Sequence, residues 1–300
     1  MQRFYSNGKL LITGEYVVLD GATALALPTK FGQDLVVENG FGKKILWKSF
    51  DSDGSVWFED SIAFDAIQNQ SKSDNPVVNT LIEILHAAFL LNPDFLANEG
   101  FVITTRLTFP RFWGLGTSST LINNVAQWLQ IDAFVLLRNS FGGSGYDIAC
   151  AQNNTAVLYQ LEAQNPIVKP VLFNPEFADQ LYFVYLNKKQ SSKSAIQSYY
   201  GKRHDIDTTV SKINAITQGV LKADNLSDFA DLLNRHETIL SEVLKLLTVK
   251  KSLFPDFVGT VKSLGGWGGD FVLVVAEDNP AGYFKEKGFE TVIPYGDMIL

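Results

Sequence analysis

One cysteine in 300 residues cannot make an internal disulfide, so Cys150 suits a reducing compartment and a cytoplasmic location is expected. No apolar run reaches membrane-spanning length. The start, Met1-Gln2-Arg3-Phe4-Tyr5-Ser6-Asn7-Gly8, does not read as a secretion signal, because the apolar segment after Lys9 is short and acidic Glu15 follows. A basic surplus is missing: 25 Lys and Arg face 32 Asp and Glu, a net charge of −7. That excludes nucleic-acid binding through a generally basic surface, and an anionic ligand would need local donors. No His/Cys cluster has zinc spacing, and there is no tandem repeat or low-complexity tail.

What is present is a large apolar complement. Hydrophobic residues make up 46% of the chain, enough for more core than one domain usually holds at this length. Residues 162–175 hold Pro166, Pro170 and Pro175 with little pattern of either kind. They are taken as the boundary, giving expected domains 1–165 and 166–300.

Along the chain, Leu10-Leu11-Ile12 is a buried strand candidate, broken at Gly14-Glu15-Tyr16 and resumed at Val17-Val18-Leu19. Asp20-Gly21 signals a turn, and Pro28 is expected to end the next apolar run. Strands are expected over 33–38, 44–50, 55–58, 156–161, 181–186, 271–276 and 290–294. Helices are expected over 76–91 (capped by Asp74 or Asn75, with Pro76 in the first turn), 131–138, 194–201, 205–222, 226–247, 254–263 and 280–287. Lys9 and Glu15 are charges in apolar surroundings, and strand ends in water would explain them as well as a site would. His86 reads as packed or at the surface, His204 and His236 as solvated.

Three glycine-rich stretches stand out. Gly114-Leu115-Gly116-Thr117-Ser118-Ser119-Thr120 follows a strand-like run and precedes helical apolar spacing. Backbone N–H groups and the helix dipole would converge there on an anion such as phosphate. Gly142-Gly143-Ser144-Gly145-Tyr146-Asp147 leads into a small-residue helix. From spacing alone, Asp147 serves the helix dipole or caps the first turn somewhat more readily than it serves chemistry. Gly265-Gly266-Trp267-Gly268-Gly269 precedes a buried strand, where either close packing or an approaching ligand would call for glycine. The common patterns do not fit. The first stretch lacks the Lys of a Walker A loop, the following helix leads to no Rossmann strand, and no nucleophile elbow is evident.

Taken in order, these motifs resemble the GHMP kinase superfamily, nearest to its mevalonate and phosphomevalonate kinase branch. Ser6-Asn7-Gly8-Lys9-Leu10-Leu11-Ile12-Thr13-Gly14-Glu15-Tyr16-Val17-Val18-Leu19-Asp20-Gly21 is similar to the N-terminal motif. Gly114 to Ser119 is similar to the phosphate loop, and Gly265 to Gly269 to the C-terminal glycine loop. Ser144-Gly145-Tyr146-Asp147 resembles the segment that carries the catalytic Asp, and Asn234-Arg235-His236-Glu237 a polar segment of a C-terminal helix. The departures are Asn7 for Pro, Trp267 for a glycine, and the absence of a Glu between the phosphate-loop helix and Asp147.

The resemblance implies an α+β, two-lobed fold with a mixed-sheet N-terminal lobe and a ferredoxin-like C-terminal lobe. It implies an ATP-dependent kinase, with ATP and Mg²⁺ as cofactors and a small anionic acceptor, mevalonate first. Phosphomevalonate kinase, mevalonate diphosphate decarboxylase and a non-catalytic small-molecule binder are the alternatives. Asp147 and Lys9 would be catalytic. Gly114, Leu115, Gly116, Thr117, Ser118 and Ser119 would bind ATP phosphates, with Ser118 on the metal. Glu15, Tyr16, Lys188, Ser192, Gly266 and Gly268 would meet the acceptor. The expected partners are ATP and the acceptor, with no nucleic acid or membrane, and the chain would be a monomer or homodimer.

Overall fold

A computed structural model of the chain describes every residue except 98, 190, 191, 203 and 204, and the side chains of 192–195 also lie outside the described set. In chain order the elements begin β1 (Gln2–Thr13), β2 (Ala24–Asn39), β3 (Lys44–Phe50), β4 (Val56–Ala63), α1 (Phe64–Gln68) and α2 (Pro76–Leu91). Next come β5 (Phe101–Leu107), α3 (Thr117–Leu129), α4 (Ala133–Ser140), α5 (Tyr146–Gln152), β6 (Val157–Glu162) and β7 (Asn165–Pro170). The last third holds β8 (Leu181–Tyr185), α6 (Ser192–Tyr200), α7 (Ile206–Lys222), α8 (Leu226–Leu244) and α9 (Val249–Leu253). It closes with β9 (Thr260–Ser263), β10 (Phe271–Val275), α10 (Ala281–Glu286), β11 (Val292–Pro294) and α11 (Tyr295–Met298). No helix among the described residues is long and apolar enough to cross a membrane.

The chain divides into two compact units, each assembled from separate segments. The first comprises Met1–Gly8, Phe31–Arg111 and Leu115–Gln152. Its sheet is mixed: β3 runs parallel to β5, while β4 pairs antiparallel with β3 and Gln33–Asn39 of β2 pair antiparallel with β5. Leu35, Ile45, Trp47 and Ile103 supply the sheet's apolar side. Leu81, Leu85 and Ala88 of α2 and Ile122, Val125 and Leu129 of α3 pack on it, at the three- and four-residue spacing of a helix face. Each such fully buried Leu or Ile stabilises by about 1.5–3 kcal/mol. Helix α2 starts where its cap signal places it, with Asn75 accepting a hydrogen bond from the Val77 N–H and Pro76 in the first turn.

The second unit comprises Lys9–Lys30, Phe112–Gly114 and Asn153–Leu300. Ala24–Ala26 of β2 pair with β6, and β6 with β7. The strand order β11-β8-β10-β9, antiparallel throughout, with helices after β8 and after β10, is the split β-α-β-β-α-β arrangement of ferredoxin-like domains. Val184, Val261, Val272 and Val274 face Phe254 and Phe284 in its core. Helix α7 packs on α8, and α8 on β9.

Three local expectations are corrected. Pro28 does not end a strand: β2 continues to Asn39. Pro28 falls between the residues paired with β6 and those paired with β5, so its missing N–H interrupts neither ladder. Residues 254–263 are not a helix, because α9 stops at Leu253 and Thr260-Val261-Lys262-Ser263 forms β9 beside β10. Its β-branched pair fits the pleat, and all four residues are buried. Residues 165–170 form β7, reached through a two-residue turn at Ala163-Gln164 with φ of 48° and 69°.

Candidate functional site

In the first unit, α3 begins without a side-chain cap. Gly116 stands at its N-cap with φ 96°, and Thr117, Ser118 and Ser119 form the first turn. Such a start leaves backbone donors pointing outward along the positive end of the helix dipole. Thr117 is half-buried and Ser118 exposed, while the buried Ser119 hydroxyl turns back to donate to the Gly116 carbonyl at 2.9 Å. Leu115 is buried under the loop. The exposed donors and the Ser118 hydroxyl fit a phosphate group. No cluster of three His, Cys, Asp or Glu suited to a metal occurs among the described residues. A divalent cation here would therefore rely on Ser118 and on the phosphate oxygens it accompanies.

Asp147 lies in the first turn of α5, where its Oδ1 accepts from the next N–H, that of Ile148, at 3.2 Å. Helix α5 packs on α3. A buried polar seam aligns them. Gln152 of α5 donates to Asn123 Oδ1 at 3.0 Å, Asn123 donates to Ser6 Oγ at 2.8 Å, and Ser6 bonds Asn124 Oδ1 at 2.8 Å. Asn124 then donates to the Gln33 carbonyl, and Thr120 to Gln33 Oε1. Buried polar groups that satisfy one another allow few alternative registers.

The second unit gathers another set. Lys9 Nζ donates to the Gly114 carbonyl at 2.9 Å. Gly114 has φ 73°, and a Cβ there would come within 2.3 Å of Asp270 Cγ, so only glycine fits against that carboxylate. Asp270 itself is held at both backbone ends: its N–H donates to the Lys188 carbonyl and its carbonyl accepts from Leu186. Lys188 is exposed at this point, and Lys189 lies over the Phe112 ring at 5.7 Å. The Ser192 side chain lies outside the described residues, as does His204. Gly266 and Gly268 are half-buried. A Cβ on Gly265 or Gly268 would meet nothing within 4 Å. Open space faces those two positions, so close packing is not why glycine stands there.

Glu15 and Tyr16 are drawn inside. The Tyr16 hydroxyl accepts from the Trp267 N–H at 2.8 Å, and burial pushes its phenol up to about 12, so it remains a neutral hydroxyl. The Glu15 carboxyl is 2% exposed and meets Lys262 Nζ at 2.5 Å. Lys262, fully buried, also donates to the Ser263 carbonyl and lies 3.5 Å from Glu237 Oε1. Desolvation raises Glu15 to about 7 against the attraction of Lys262, and raises Glu237 as well. One buried ammonium thus stands between two carboxyls that both resist ionisation.

His236, expected in solvent, is instead fully buried beside Glu15, at 3.4 Å from Oε2. Its Nε2 accepts the Gly14 N–H at 2.9 Å, and burial with the nearby Lys262 charge keeps it neutral. The contact with Glu15 is therefore not an ion pair, and the ring proton sits on Nδ1. Of the two readings open for Glu15, a strand end in water is the one its burial excludes. Lys262 escaped the sequence reading because it lay in a stretch assigned to a helix. A lysine among Thr, Val and Ser just before a glycine loop was the signal available.

No protein-family profile matches the sequence, and no curated protein sequence matches it. Solved structures match over nearly the whole chain. Streptococcus pneumoniae phosphomevalonate kinase, in complex with phosphomevalonate and AMPPNP, is similar with a TM-score of 0.69 at 18% identity, covering 100% of this chain and 98% of that one. Methanococcus jannaschii mevalonate kinase gives 0.68 at 16% identity, covering 97% and 96%. Lactococcus lactis galactokinase complexed with galactose gives 0.64 at 15% identity, covering 95% and 88%. The chain therefore has the fold these GHMP kinases share, the fold its sequence motifs implied.

Proposed function

We propose that the protein is an ATP-dependent kinase that phosphorylates a small anionic acceptor, with mevalonate as the first choice. The observation that carries this reading is the uncapped start of α3, where outward N–H groups, Thr117 and exposed Ser118 make a phosphate cradle. The kinase fold and the ordered motifs around Lys9, Gly114–Ser119, Asp147 and Gly265–Gly269 support it.

Phosphoryl transfer needs positioning and charge neutralisation more than covalent catalysis. Gly114, Leu115, Gly116, Thr117, Ser118 and Ser119 hold the β- and γ-phosphates, mainly through backbone N–H groups. Ser118 would hold Mg²⁺, which would supply charge neutralisation when bound. Asp147 accepts the proton of the acceptor hydroxyl. That oxygen forms its bond to the γ-phosphorus as the bond from phosphorus to the β–γ bridging oxygen breaks, and ADP leaves with the electron pair. Lys9 stabilises the developing oxyanion. Tyr16 and the glycines at 266 and 268 line the acceptor pocket, and Lys188 and Ser192 meet its anionic group.

A coupled assay of ADP release with mevalonate, phosphomevalonate, homoserine and galactose tests the reading. Turnover with mevalonate supports it. Preference for phosphomevalonate moves the assignment one acceptor along. Release of carbon dioxide from mevalonate diphosphate, offered with MgATP beside the panel, identifies a decarboxylase. No binding of MgATP by calorimetry overturns the kinase reading in favour of a non-catalytic binder.

A further inference from the structure

We propose that Lys262 is the positioning residue of the acceptor pocket, holding Glu15 and, through it, the strained turn that aims Tyr16; the inference rests on the kinase reading above. Tyr16 has φ 65° and ψ −53°, and the Val17 N–H donates to the Glu15 carbonyl at 2.7 Å. Those values describe a γ-turn of the positive-φ kind, rare and strained for a residue with a side chain. Strain of this kind persists where the surroundings over-determine it.

The surroundings do so at both consecutive residues. Glu15 is tied to Lys262 at 2.5 Å, and the Tyr16 hydroxyl to the Trp267 N–H at 2.8 Å. Lys262 ends β9 with Ser263, and Trp267 sits in the glycine loop that follows, so one short segment grips the turn at two points. Gly14, just before, is held by His236. The ammonium of Lys262 is itself fixed, since it donates to Glu15 and to the Ser263 carbonyl and lies 3.5 Å from Glu237 Oε1. The side chain is fully buried. An apolar replacement would fill the space but leave the γ-turn without its anchor.

The test is Lys262→Met, assayed with mevalonate and MgATP and labelled with ¹⁵N-tryptophan. The acceptor KM is expected to rise by at least about tenfold while the MgATP KM stays within about twofold, as misplacement of one pocket wall requires. The Trp267 backbone amide resonance is expected to shift as the Tyr16 hydroxyl leaves it. If Lys262→Met does not fold, the double variant Glu15→Gln, Lys262→Met removes one of the two stranded carboxylates and should show the same acceptor defect. An unchanged acceptor KM, or an equal rise in both KM values, overturns the proposal. If the wild-type protein turns over no acceptor, the kinase reading fails by itself. The Trp267 amide then decides the positioning claim, and an unmoved resonance sinks it.

Discussion

Glu15 and Lys262 lie 247 residues apart in sequence, yet their carboxyl and ammonium groups meet at 2.5 Å with neither side chain more than 2% exposed. Removing one member of a buried pair strands the other charge, at about 3–5 kcal/mol. Lys262→Met should therefore lower the unfolding free energy from urea denaturation by that much, with the slope of the transition unchanged. A loss below about 1 kcal/mol would mean that the pair is replaceable in place.

The same cluster makes stability depend on pH. Glu15 titrates near 7 in the folded protein against 4.5 for a free carboxyl. Between those values the folded chain keeps a proton that the unfolded chain has released, so this group's contribution falls as pH rises through the window. The full shift corresponds to on the order of 3 kcal/mol. Glu237, also raised, acts in the same direction. Neutral His236 acts oppositely, removing stability as pH drops below its ordinary value. The difference between wild type and Glu15→Gln isolates Glu15: the variant should gain on wild type from pH 5 to pH 8, as measured by denaturant unfolding. Parallel profiles would show that Glu15 does not titrate in that window.

Gly114 is fixed both by its φ of 73° and by the Asp270 carboxylate behind it. Gly114→Ala should destabilise by about 1–3 kcal/mol and reduce phosphate-loop function, since the added methyl needs a shift at a strained backbone position. Adding Asp270→Gly should return part of the loss by removing the clash, leaving the conformational cost. A single variant with wild-type unfolding would place the constraint elsewhere.

Asn123 sits at the centre of the seam that aligns α5 with α3 and β1. Asn123→Ala takes the acceptor from Gln152 and one of the donors from Ser6, which keeps Asn124, a loss of about 1–3 kcal/mol. Because Asp147 rides on α5, turnover should fall more than MgATP affinity does. Equal losses in both would indicate general loosening.

Much of this architecture could be read from the residues. Helix α2 was legible because Asn75, Pro76 and the apolar spacing agree. The glycine loops and Asp147 were legible as motifs, whereas their surroundings were not. The β6–β7 hairpin was hidden because Ala163 and Gln164 adopt positive φ without the usual Gly or Asn. The buried cluster was hidden because Glu15, His236, Glu237 and Lys262 look like surface residues one at a time. Only the pairing of segments far apart in the chain sets Lys262 between the two carboxyls and buries neutral His236 beside them.

The most direct test of the central claim follows the γ-phosphoryl group itself. Purified protein is incubated with γ-labelled ATP, Mg²⁺ and mevalonate, alongside Asp147→Asn and Lys9→Met. Label should move to mevalonate with wild type, and Asp147→Asn should slow that transfer by about 10²–10⁴. Transfer by Asp147→Asn at the wild-type rate, or no transfer by wild type to any acceptor in the panel, would contradict the account.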